Sequence, residues 1–148
     1  EIEGTLRYLY EPTEEFNPSK RLEEVVQSVC AVHRCGYDMS IETENEVVVN
    51  APQIVRLVRE AAAEIVEDSK DIIEHRSMAG EDFAAYAKRV PSAFIHVGTR
   101  DPEKETDYPH HSPRFNIDED TLPTGVELFV RTTENFFTKE WNFDVGRR

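Results

Sequence analysis

"VVVNAPQIVRLVREAA", residues 47–62, changes its period in the middle. Val47-Val48-Val49 is a β-branched run of the kind that suits a pleated strand. From Pro52 onward Ile54, Leu57, Val58, Ala61 and then Ile65 recur at the three- and four-residue spacing of one helical face. Between the two runs, Asn50-Ala51-Pro52 is a boundary: proline favours the first helical position, where its missing N–H would have had no partner. The spacing thus predicts strand, break, helix, and places a domain junction at about residue 50.

Upstream of the junction the pattern is strand, helix, strand. Residues 1–10 alternate, with Ile2, Leu6, Tyr8 and Tyr10 on one face and Glu3, Thr5, Arg7 and Leu9 on the other. After a turn-rich connector, Ser19 is the expected N-cap of a helix striped by Leu22, Val25, Val26, Val29, Val32 and His33, and Gly36 is its expected stop. Residues 37–49 then read as one long or bent strand. Downstream, residues 72–74 are a candidate short strand. Gly80-Glu81-Asp82 opens a helix carrying Phe83, Tyr86 and Ala87, and residues 92–98 form a short strand, apolar on both faces and expected to be central. Asp118 caps a last helix through Leu122, Val126, Phe129, Val130, Thr133 and Phe137, and the tail from Lys139 reads as peripheral. Strands alternating with helices indicate an α/β chain.

Thirty acidic against 17 basic residues give a net charge of -13, which disfavours phosphate backbones and anionic lipid, so neither nucleic acid nor a membrane surface is an expected partner. No apolar run approaches the roughly 20 residues a bilayer helix requires, and no signal-like segment precedes the first strand. The chain opens Glu-Ile-Glu without a methionine, as a processed product or an excised piece would. Cys30 and Cys35 fall on one helix and its end and are expected to point to different sides, which argues against a disulfide or a metal pair. Unpaired cysteines fit a reducing compartment, and the chain reads as soluble and cytoplasmic.

The chemistry-bearing stretch is "YPHHSPRFNIDED", residues 108–120. Pro109 and Pro113 are expected to hold an extended backbone on both sides of His110 and His111, giving a stiff loop suited to a metal ligand, with Asp118, Glu119 and Asp120 as outer partners. Two exposed histidines on a surface loop are the plainer account, since zinc needs three or four protein ligands and no HExxH, CxxC or HxH spacing supplies them. His96 reads as a strand histidine, and His33 and His75 as structural or solvent-facing. Glu81 and Asp82 suit helix capping before acid–base work, and Arg7 suits a cross-strand ion pair. No nucleophile elbow or phosphate loop is present.

Taken in order, "GTLR" at 4–7, "VVVNAPQIVRLVREAA" at 47–62, "MAGEDFAAY" at 78–86, "PSAFIHVG" at 91–98 and "HHSPRFNIDEDTLPTG" at 110–125 resemble the zinc-dependent amidohydrolase family of aminoacylases, hippurate hydrolase, indole-acetyl-amino-acid hydrolases and related carboxypeptidases. The resemblance implies that residues 1–50 are the second half of an α+β, ferredoxin-like lid and dimerisation domain. Residues 51–148 would then be the C-terminal part of a zinc-peptidase-like α/β catalytic domain. By the same resemblance His111, in His-Ser-Pro, is a metal ligand, and His110 stands where the family usually has an apolar residue. Arg7 meets the substrate carboxylate, and Glu81 and Asp82 lie near the active site without an assigned role. The family uses two divalent ions, zinc foremost, on N-acyl amino acids or short peptides. Its other ligands and its general base come from an N-terminal half that these residues do not include, so no catalytic residue is expected here and the chain alone is expected to be inactive and not to retain the metals. The alternative is a non-catalytic remnant that works as a dimerisation or interaction module, with homodimer pairing through the lid.

Overall fold

The computed structural model of the chain describes residues 1–43 and 45–139, so the expectation for the tail beyond Lys139 lies outside it. Four helices follow in order: α1 (Pro18–Val32), α2 (Pro52–Ala63), α3 (Ala84–Ala87) and α4 (Leu122–Thr138). Short 3-10 turns occupy Ser69–Asp71, Pro102–Lys104 and Glu119–Thr121. The chain divides into two compact units. One comprises residues 1–49 and 75–90, and the other residues 50–74 with the described residues from Pro91 onward.

In the second unit the core is the packing of α2 on α4. Pro52 is the first residue of α2, and the predicted stripe is the buried one, with Leu57 2%, Val58 9% and Ala61 0% exposed. Ion pairs flank this contact, from Arg131 to Glu64 at 3.1 Å and from Lys139 to Glu60 at 3.2 Å. They are solvent-facing and add little beside the apolar burial.

No strand is present among the described residues, although residues 1–10, 37–49, 72–74 and 92–98 carry strand patterns. A pleated pattern becomes a strand only where a neighbouring segment completes a ladder, and no such ladder forms among the described residues. Residues 92–98 come nearest. The Asn50 amide takes the neighbour's place, accepting from Phe94 N at 2.7 Å and donating to Phe94 O at 3.1 Å, while Ala51 N donates to Ser92 O at 2.8 Å. These bonds fall two residues apart, the alternation of an extended segment paired along one flank. The segment is not a buried centre, since Ile95 is 40% and Val97 39% exposed.

In the first unit α1 begins and ends elsewhere than expected. Asn17, not Ser19, is the N-cap, accepting from Lys20 N at 3.1 Å, with Pro18 as the first helical residue. The helix stops at Val32 because Arg34 takes the left-handed conformation (φ 56°) that Gly36 was expected to supply. Cys35 is therefore off the helix. Its N–H returns to Cys30 O at 3.0 Å, and its thiol lies 3.6 Å from the same oxygen, so the two cysteines share a side, contrary to expectation. α3 is a single turn whose start carries no side-chain cap. Ala84 is buried there, and Lys88 pairs with Glu46.

Residues 99–118 form a loop tied at its stem. Asp118 N donates to Thr99 O at 3.1 Å. Thr106, the one buried polar side chain described, accepts from Asp101 N at 2.7 Å and donates to Thr99 O at 3.0 Å. Asp118 caps the 3-10 turn of Glu119–Thr121 through Asp120 N rather than α4 itself, which starts behind Thr121 with no side-chain cap. Its carboxylate also receives Lys104 Nζ at 2.7 Å, and Asp120 receives the same ammonium at 2.6 Å. Hydrogen bonds to Asp118 and Asp120 raise Lys104 well above the ordinary lysine value, and that from Lys104 holds Asp118 below the usual carboxylate value.

Three measurements test these contacts. Leu57→Ala should cost about 2–3 kcal/mol of unfolding free energy, toward the low end for a buried leucine because this core is thin, as read by chemical denaturation. The loop tie should be insensitive to pH between the carboxylate and lysine ranges. The lowered Asp118 contributes above its ordinary value and loses that contribution as pH falls through its folded one. The raised Lys104 contributes below its ordinary value and fades as pH climbs through its folded one. Amide protection at Asp118 should therefore fall on acidification below about pH 4, and Lys104→Met should shift the Asp118 titration upward in carboxyl NMR.

Candidate functional site

The histidine pair sits on a turn within the tied loop. Ser112 N donates to Pro109 O at 3.2 Å, closing a β-turn with His110 and His111 at its centre. Only His111 of the two has a positive φ, 65°, which is the sign pattern of a type II turn. A second turn follows, with Phe115 N donating to Ser112 O at 3.0 Å and Arg114 N to the Ser112 hydroxyl at 3.1 Å. The backbone is thus folded back between Pro109 and Pro113. Two successive turns, not the expected extension on each side, give the loop its stiffness.

These turns send the two imidazoles to different fates. The His110 ring meets Phe115 edge-on at 4.9 Å and lines a cavity of about 230 Å³ together with Val97, Thr106, Asp107, Tyr108 and Phe115. His111 is exposed, and among the described residues no hydrogen bond or ring contact engages its side chain. A left-handed backbone is uncommon for any residue but glycine, though histidine is among those enriched there. Here the closing hydrogen bond imposes it. Arg114 stacks over Tyr108, 4.1 Å from the ring centre, bracing the same turn from its other end.

Two of the three acidic residues expected as outer partners of the histidines, Asp118 and Asp120, hold Lys104. Lys104 is the residue that sequence reading missed. A lone lysine in "DPEKETD" carries no signal of its own, and only the fold of the loop brings it to residues 118–120.

Arg7, Glu81 and Asp82 belong to the first unit. Arg7 Nη1 donates to Met78 O at 3.0 Å, so the arginine reaches the segment that leads into Glu81 and Asp82. No described carboxylate pairs with Arg7, in place of the expected ion pair. Glu81 is half-buried and Asp82 exposed, and their carbonyls accept from Ala84 N at 3.1 Å and Ala85 N at 3.0 Å as the chain turns into α3. His96 meets Phe94 edge-on at 5.1 Å, and His33 is the C-cap of α1. Among the described residues no group of three or more His, Cys, Asp or Glu could hold a metal ion, and no helix is long and apolar enough to cross a membrane.

Comparison with known proteins bears on what this loop belongs to. Residues 2–135 match the model of peptidase family M20/M25/M40. A protein of Synechocystis named as a hydrolase is 32% identical over 124 residues, covering 83% of this chain and 31% of its own length. An IAA-amino acid hydrolase from Arabidopsis thaliana is 29% identical, covering 79% and 26%. Thermostable carboxypeptidase 2 of Saccharolobus solfataricus is 27% identical, covering 85% and 31%. No solved structure gives a significant match. The chain spans about a third of the length of these relatives. The histidine turn, the Arg7 strand pattern and the residues around Glu81 all fall inside the matched span, and the chain belongs to the M20/M25/M40 peptidase family of hydrolases.

Proposed function

We propose that this chain is the C-terminal portion of a metal-dependent amidohydrolase that cleaves the amide bond of N-acyl amino acids or short peptides, with zinc as its metal. Residues 1–50 are then the second half of an α+β lid, and residues 51–148 the C-terminal part of an α/β catalytic domain. The names of the relatives, an IAA-amino acid hydrolase and a carboxypeptidase, support the substrate class. Free thiols and the soluble character of the chain fit a cytoplasmic setting.

The observation that carries the reading is the separation of the two imidazoles. His110 is spent on Phe115, whereas His111 keeps both ring nitrogens available on a turn that fixes its backbone. One imidazole fits one coordination position, and zinc requires three or four protein donors. The remaining donors and the general base would come from polypeptide outside this chain, which is then inert by itself. His111 would hold one divalent ion together with those outside donors, and the ion, when bound, would supply Lewis acidity toward the scissile carbonyl and a water. Arg7 uses one of its five N–H donors on Met78 O, and those left are enough to grip a carboxylate in bidentate fashion. Glu81 and Asp82 adjoin that arginine's segment and carry no assigned step.

A second reading is supported by α1. Val25, Val29 and Val32 are 45%, 53% and 79% exposed at helical spacing, an apolar edge of the sort that pairs subunits. On this view the chain acts as a dimerisation module, alone or within the enzyme.

In the complete enzyme His111→Gly should lower metal-dependent turnover by more than about 100-fold, beyond the loss typical of outer partners, without destabilising the fold, because glycine accepts φ 65° freely. Unchanged turnover removes His111 from the site. A loss confined to His110→Gly would move the assignment one residue. For the second reading, sedimentation of the chain should give a dimer that Val29→Asp dissociates, and a monomer at all concentrations rejects it.

A further inference from the structure

The end of α1 places two thiols together. Arg34 N donates to Ala31 O at 3.1 Å and Cys35 N to Cys30 O at 3.0 Å, with Arg34 left-handed between them. This is the Schellman arrangement, in which the second residue past the C-cap folds back on the residue three before it, and their side chains regularly touch. Both residues of that pair are cysteines here. Cys30 is half-buried and Cys35 exposed, and the Cys35 thiol lies 3.6 Å from the Cys30 carbonyl oxygen.

We propose that Cys30 and Cys35 are a disulfide-forming pair through which small-molecule disulfides oxidise the end of α1. Only a thiolate attacks a disulfide. Burial, then the hydrogen bond and charge of Cys35, push the Cys30 thiol up, and Cys30 is also the less accessible of the two. Cys35 therefore reacts first. Its thiolate attacks one sulfur of the small disulfide, forming a mixed disulfide and releasing one thiolate. Cys30 then loses its proton, attacks the Cys35 sulfur and expels the second thiolate. Both cysteines are oxidised, one external disulfide is reduced to two thiols, and no other reactant is needed. The bond locks the left-handed Arg34 and the helix cap in place. The motif sets it up, since cysteines at i and i+5 of a continuous helix would diverge.

The test is incubation of the native chain with glutathione disulfide at neutral pH, alkylation of remaining thiols and mass spectrometry. The expected product has lost two hydrogens, resists alkylation and yields a linked Cys30–Cys35 peptide. Cys30→Ser should stop at a single glutathione adduct on Cys35, and Cys35→Ser should react at least about tenfold more slowly than Cys30→Ser. Two adducts on the unaltered chain, a disulfide between chains, or two thiols still open to alkylation would each overturn the proposal. So would equal rates for the two variants.

Discussion

Burial of one face of α2 against α4 is the constraint on which the second unit depends. Among the described residues of this unit, Leu57, Val58 and Ala61 are the only apolar side chains withdrawn from water to that degree, and they lie within five residues of one another. Two further segments of the unit are tied by hydrogen bonds to residues just ahead of these helices. Asn50 and Ala51, just ahead of α2, hold residues 92–94. Asp118, just ahead of α4, holds Thr99 and Lys104, and so the loop between them. The histidine turn is thus positioned by polar ties at the N-terminal ends of two packed helices, and its geometry is only as firm as their contact. A core this small leaves much apolar surface in water: Phe129 and Phe137 on α4 are 73% and 79% exposed.

The helices were legible in the sequence because their signals are local. Pro52 at the head of a regular apolar stripe identified α2, and Asp118 ahead of a second stripe identified the approach to α4. The misreadings came from competing local chemistry. Ser19 looked like a cap, but Asn17 followed by Pro18 is the stronger start, since the proline fills the first helical position and the asparagine side chain accepts from Lys20 N. Gly36 looked like the stop, but the helix had already ended two residues earlier, on an arginine forced left-handed by its own hydrogen bonds. The strand patterns failed for a different reason. Alternation reports what a segment would do beside a neighbour, and no propensity within residues 1–10 or 37–49 can supply one.

The candidate site was legible in part. The prolines around His110 and His111 announced a constrained loop, and the order of five short stretches pointed to the family that the matched span then established. Which histidine is spent on packing was not legible, because it depends on Phe115, five residues on from His110 and across a second turn. The role of Lys104 was equally hidden, being a contact between residues 14 and 16 apart. Adjacent acidic residues suggested outer ligands when read along the chain. In space they are the anchor of a lysine.

The way Asn50 grips Phe94 has an architectural consequence. Along residues 92–98 the backbone groups of Ser92 and Phe94 face the residues ahead of α2 and are spoken for. Those of Ala93, Ile95 and Val97 point the other way in an alternating chain and meet no described partner. The segment is a seam open on a single side. A strand laid along the Asn50 flank would find the groups of Ser92 and Phe94 already engaged, whereas the Ala93 flank keeps its own groups open. A single asparagine thereby sets the direction in which a sheet could grow here.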